Sequence, residues 1–264
     1  MTDLFDEVEE QLRSDRYRAL ARRSAPWVIA LAAFALLAAL GIWGWQQYDQ
    51  QITDKASEQY AAALTSAGQG DLTKAAQVWG EVAKSQSRAY KSLALMQLGG
   101  LKMASGKPED VKAAVALFDQ AASAAPDDLL GDAARLKSAF AILDTAPFAE
   151  VEGRLTPLLK EGHPYRVQAR EALAFAKLLK GDDAGARGDF VVVSLLPDAP
   201  ETARQRAKAA IDLIDTGSAK SVPAAVKAEL ALPTPMLVAP GGAPIGPAPD
   251  GAAPQGQAEA PGPQ

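Results

Sequence analysis

From Pro26 to Trp45 the chain reads PWVIALAAFALLAALGIWGW, twenty residues without a charge in a sequence that is 22% charged overall. As a helix with about 1.5 Å rise per residue, this run would span roughly 30 Å, the hydrocarbon thickness of a bilayer. A helix buried in a soluble core rarely needs so long an apolar stretch. Trp27 stands at one end, and Trp43, Trp45 and Tyr48 at the other. Amphipathic rings favour the headgroup level, so both ends have the character of an interface. The segment is therefore predicted to be a single transmembrane helix over residues 26–45. A cleaved signal peptide fits less well: its apolar core is usually about 7–15 residues, and no small-x-small cleavage site follows this run.

The flanks set the expected orientation. Arg13, Arg16, Arg18, Arg22 and Arg23 precede the span, whereas Asp49 and Asp54 are the first charges after it. Positive charge is retained on the cytoplasmic side, which places residues 1–25 there and the rest of the chain across the membrane. Within that arm Leu4, Val8 and Leu12 recur at helical spacing beside Phe5, giving one apolar stripe. Acids come first and arginines last, an order that complements a helix dipole and keeps the basic end near the membrane surface. The stripe suits either a solvated juxtamembrane helix or a docking helix for a partner.

Residues 46–216 are Ala-rich and helix-periodic, long enough to bury a core. One phrase recurs in them: Ala75 and Trp79, Ala114 and Phe118, and Ala186 and Phe190 all read Ala-x-x-x-aromatic. Gly70-Asp71 and Gly181-Asp182 precede two of these at one offset, and Gly106 precedes the third slightly earlier. Pro126 and Pro197 follow two of the aromatics. From Trp79 to Phe118 is 39 residues and from Phe118 to Phe190 is 72, so a further unit is expected near position 154. There Arg154 replaces the aromatic and Glu150 the small residue, with Pro157 set to disturb a helix, so this unit is expected to be degenerate or absent. Helix-turn-helix units of about 34 residues with this phrase and a trailing Pro carry the tetratricopeptide signature, although its Trp-x-x-Leu-Gly-x-x-Tyr half is poorly kept. The small Ala lets two helices approach and the aromatic fills the gap to the next hairpin, while Gly ends the first helix in a left-handed conformation. The expected fold is all-α: a TPR-like α-solenoid after the membrane helix, with a generic helical bundle as the alternative. Residues 200–215, PETARQRAKAAIDLID, read as a terminal amphipathic helix that caps the stack. From 217 to 264 the chain turns Pro-, Gly- and Ala-rich, a composition expected to remain disordered.

Chemistry finds little support. There is no cysteine and only one histidine, His163, in a Gly-His-Pro turn that reads as a loop, so neither a thiolate nor a typical zinc site can be built. The stretch GGLKMASGKPE resembles a P-loop, but Gly100 and Gly106 enclose five residues and Pro108 stands where Ser or Thr is required, so it reads as an interhelical loop. Asp127-Asp128 and Asp182-Asp183 fall at expected helix starts, where carboxylates cap. The chain is therefore not expected to be an enzyme or to carry a cofactor. A net charge of -5 and a pI near 5.1 argue against nucleic acid. What remains is protein binding. Counting back from the turn glycines places Tyr60, Leu64, Met96, Met103, Phe175 and Leu178 near the concave face, although apolar residues at this spacing also suit a core.

The opening DLFDEVEEQLRSDR, the apolar span and the phrase LLKGDDAGARGDF, in that order, resemble the YfgM family of Gram-negative inner-membrane proteins over about residues 3–215. The resemblance implies a single-pass protein of the bacterial inner membrane with a cytoplasmic N-terminus and a periplasmic TPR-like domain. It further implies an ancillary subunit of the SecYEG translocon, acting with a PpiD-like periplasmic chaperone on exported polypeptides. The Pro-rich tail departs from the family pattern. A scaffold for another envelope-assembly or division complex and an accessory subunit of a membrane enzyme are the alternatives.

Overall fold

The computed structural model describes the backbone of residues 3–231, 237–238 and 244–245, and the side chains of Trp27, Ala30, Leu31 and residues 33–231. It falls into two units, residues 1–55 and 56–264.

In the first unit the chain is helical from Asp3, within α1 (Asp3–Gly68). The stripe of Leu4, Val8 and Leu12 and the arginines that precede the apolar run lie outside the described side chains, as do Pro26, Val28, Ile29 and Ala32 of the run itself. Among the described residues no helix is long and apolar enough to cross a membrane. Every described residue of the run is exposed, from Trp27, Leu31 and Phe34 through Leu37 and Leu40 to Trp43 and Trp45.

The second unit begins within α1 at Ala56 and continues through α2 (Leu72–Val82), α3 (Arg88–Met103), α4 (Pro108–Ala124), α5 (Asp128–Ile142), α6 (Phe148–Leu155), α7 (Arg166–Leu179), α8 (Asp183–Leu195), α9 (Glu201–Asp215) and α10 (Val222–Leu230). Successive helices pack as hairpins, and α3 also meets α5 as α7 meets α9, the neighbour and next-neighbour pattern of a helical solenoid. Leu237–Val238 pairs antiparallel with Pro244–Ile245 in the region expected to be a disordered tail.

The Gly-Asp pairs explain how two of the hairpins turn. Gly70 has φ 84° and Gly181 φ 82°, a left-handed conformation that a side chain would disfavour. Gly70 donates its N–H to the Ala67 carbonyl and Asp71 to that of Ser66; Gly181 donates to Leu178 and Asp182 to Lys177. This is the Schellman arrangement, which satisfies carbonyls the ending helix would leave unpaired. The adjacent Asp then opens the next helix, Asp71 accepting from the Lys74 N–H and Asp182 from the Gly185 N–H. Two residues thus close one helix and start another.

The repeated phrase forms the core. Ala75 and Trp79 are buried in α2, Ala114 and Phe118 in α4, and Ala186 and Phe190 in α8. Phe118 packs against Gly99 of α3, where a Cβ would come within 2.6 Å of the ring. The GGLKMASGKPE stretch is accordingly a loop only from Ala104 to Lys107; its first two glycines, Gly99 and Gly100, belong to α3, and Gly99 is there because the neighbouring ring leaves no room. Arg88, opening α3, donates to the carbonyls of Ala124 and Ala125 and so closes the end of antiparallel α4.

The degenerate unit is present as the hairpin α5–α6. Its turn, Leu143 to Pro147, has no glycine; the Ala146 N–H bonds back to the Ile142 carbonyl, and Pro147 precedes the first residue of α6. Pro157 does disturb the helix, which passes after Leu155 into a 3-10 turn over Thr156–Leu159. Val151, Leu155 and Leu158 nonetheless reach the core with Leu136, Ala139 and Leu173.

The stack continues beyond the composition break at Gly217. Gly217 (φ 77°) leads into a 3-10 turn, Ser218–Ser221, that buries Ala219, and α10 then packs back on α7. Pro223 stands in the first turn of α10, where its missing N–H removes no helical bond, so here proline starts a helix rather than signalling a tail. The helix α9, expected to be the terminal cap, is followed by one more.

Candidate protein-binding groove

A concavity of about 940 Å³ in the second unit lies where the ends of α3 and α5 meet the starts of α4 and α6, with the last turn of α10 on its rim. Met103, Val111, Val115, Phe140 and Ile142 supply its apolar surface, with Leu230 of α10 opposite. Phe140 is 48% exposed and Leu230 54%. Such large apolar side chains leave water readily, so their joint exposure at one concave place is informative. Charges stay at the rim as Asp144, Glu150 and Glu229 against Lys112, a net negative border around an apolar floor.

Of the six residues selected from sequence, only Met103 lines this groove. Leu64 is 44% exposed and Phe175 37%, but the Phe175 ring sits edge-on to Phe190 with centroids 5.1 Å apart and is held by that contact. Tyr60 is half-buried, its hydroxyl accepting from the Gln97 amide at 2.9 Å and its ring tilted against Tyr90. Met96 and Leu178 are buried in the core and do not line the groove: Met96 packs with Phe118 and Ala114, and Leu178 with Phe190 and Val193. Helical spacing brings core and groove residues to nearly the same face, and only the position of the helix packed against them separates the two. Val111, Phe140 and Ile142 were not singled out. Phe140 carries a signal, a lone aromatic between Ala139 and Ala141, but without the α5–α6 hairpin nothing placed it at an edge.

The polar residues serve structure. The histidine is more than a loop residue: His163 Nδ1 lies 2.6 Å from Asp132, whose fully buried carboxylate also accepts from Arg135 at 2.7 Å. Among the described residues no group of three or more His, Cys, Asp or Glu could hold a metal ion. Asp127 caps α5 by accepting from the Leu130 N–H, as its place in the sequence suggests. Arg154, where the aromatic is missing, donates to Asp119 of α4 and to the Ser138 hydroxyl of α5 at 2.7–3.0 Å.

Ion pairs lace the later hairpins. Arg206 of α9 forks onto Glu171 of α7, whose hydrogen bonds raise its pKa further. Hydrogen bonding to Arg166 holds Asp198 below the usual carboxylate range, and Arg187 does the same to Asp215. Asp182 is lowered chiefly by the Gly185 N–H that it caps.

A family model described as a tetratricopeptide repeat-like domain matches residues 22–218. This chain belongs to that family. The match covers the Gly-Asp turns, all three Ala-x-x-x-aromatic pairs and the degenerate hairpin, and stops at the turn before α10. No curated protein matches the chain, and no solved structure does. TPR-like domains are protein-interaction scaffolds, typically without catalysis. The apolar groove with its charged rim is the kind of surface such scaffolds offer a partner.

Proposed function

We propose that this TPR-like protein is a non-catalytic inner-membrane scaffold whose periplasmic domain binds proteins at the translocon. The observation that carries the binding role is the groove of Met103, Val111, Phe140, Ile142 and Leu230, an apolar floor inside an acidic border. Apolar segments flanked by basic residues complement both features, and exported polypeptides carry such segments. The anchor rests on the uncharged run from Pro26 to Trp45 and on the exposure of its described residues, an apolar surface that water would not tolerate on all sides of a helix. The arginines before the run support a cytoplasmic N-terminus and a periplasmic domain. The resemblance to the YfgM family adds SecYEG and a PpiD-like chaperone as partners. Tethering raises the local concentration of the groove at the membrane, so weak contacts suffice to hold an emerging chain.

In-cell photo-crosslinking from Met103, Phe140, Tyr60 and Phe175 tests this. Adducts with SecYEG, a periplasmic chaperone or nascent exported chains are expected, strongest from Met103 and Phe140. Adducts confined to division or envelope-assembly proteins would overturn the translocon role.

A further inference from the structure

The groove has an unusual neighbour in its own chain. Along α10 the residues Val222, Val226 and Leu230 fall four apart on one face. Val222 and Val226 are half-buried, whereas Leu230 stands 54% exposed at the groove rim. The stripe thus runs from the packed part of the domain to an open apolar surface. The chain continues at once with Leu232-Pro233-Thr234-Pro235-Met236-Leu237-Val238. Beyond Ala231 the large aliphatic residues are Leu232, Met236, Leu237, Val238 and Ile245, and four of these five lie in that heptapeptide. The segment carries no charge, and the remaining tail is Pro-, Gly- and Ala-rich, with Pro244–Ile245 paired to Leu237–Val238. Two prolines favour an extended conformation of about 3.1 Å per residue, so seven residues reach about 20 Å. Neighbouring helices pack 8–10 Å apart, so seven extended residues are long enough to cross the ends of two helices.

We propose that Leu232–Val238 is the groove's own occupant, an internal apolar ligand delivered by α10 onto Met103, Val111, Phe140 and Ile142. The segment brings no carboxylate against the acidic border: the tail's Asp250 and Glu259 come only well after it. Since an attached ligand acts at an effective concentration near millimolar, an external segment must outcompete it, and the tail sets the affinity threshold of the groove. The proposal stands on intrachain geometry and is independent of the export role.

The absence of cysteine makes the test direct. In the full-length protein, Asp144→Cys on the exposed rim is paired with Ala239→Cys just after the segment, and a short bismaleimide reports their proximity. The product is expected within one chain, with a yield independent of protein concentration. Adding Met236→Asp and Leu237→Asp leaves the tether length unchanged but removes two apolar side chains from the groove, which should lower the yield by about tenfold or more. An unchanged yield would mean chance encounter of a tethered tail and would overturn the proposal. A crosslinked dimer that grows with protein concentration would overturn it too, by naming a second copy as the occupant.

Discussion

Phe190 in α8 and Arg154 in α6 stand where the repeat spacing calls for the same aromatic, and the two hairpins answer that need differently. Phe190 is fully buried among Leu178, Val193, Ala203 and Ala207 and meets Phe175 edge-on, so one ring joins α7, α8 and α9. Arg154 keeps about a quarter of its side-chain surface in water and holds its neighbours through charge-assisted bonds to Asp119 and Ser138. Its apolar packing has moved to Val151, Leu155 and, past the break at Pro157, Leu158. A repeat can therefore lose its signature residue and keep its place in the stack, provided flanking positions still bury enough surface. The same hairpin also forms the groove wall through Phe140 and Ile142. The least regular unit thus supplies one wall of the groove, with α3, α4 and α10 supplying the rest.

The comparison can be broken most forcefully at Phe190. Phe190→Ala empties a fully buried site and is expected to cost about 3–5 kcal/mol, lowering Tm by roughly 10 °C in thermal unfolding followed by circular dichroism. Arg154→Ala removes a partly exposed bridge, and solvent screening should limit its cost to about 1 kcal/mol in the same measurement. Equal losses would show that the two hairpins are held alike.

Acid sharpens the contrast with smaller effects per group. Of the described carboxylates held below their ordinary range, Asp182, Asp198, Glu201 and Asp215 lie between α7 and α9, and only Asp110 lies elsewhere. Hydrogen bonds to Gly185, Arg166, Arg204 and Arg187 respectively are the first cause for these four. Because the folded state depresses these pKa values, the stabilisation is full above the unfolded values near 4 and is lost as pH falls through the lower folded ones. Hydrogen exchange between pH 5 and pH 3 is therefore expected to show α7–α9 losing protection before α5–α6, after correction for the intrinsic rate. Loss that begins in α5–α6 would contradict this ordering.

Much of this architecture was legible in the residues. The Gly-Asp pairs specify a left-handed helix end and the cap that follows, both local matters of backbone conformation and one side-chain oxygen. The Ala-x-x-x-aromatic phrase specifies a close helix approach beside a bulky plug. Less was legible of the site, where Met103 alone of the six selected residues lines the groove. Met96 and Leu178 also recur at helical spacing, but the second helix of their own hairpins covers them. The helix after Gly217 was hidden for a related reason: Pro223 looks like a breaker until it is seen in the first turn of α10, and nothing local predicts that α10 packs on α7.

The sequence by itself determined the helical hairpins, their turns, the aromatic core positions and the uncharged run near the N-terminus, because each depends on residues within a few turns of one another. Tertiary structure alone decided that the degenerate unit survives, that Asp132 and His163 meet across 31 residues, and which apolar side chains stay open to form a groove. Those outcomes depend on what distant helices cover. Periodicity fixes the face on which a side chain lies, and burial is settled only when another element arrives.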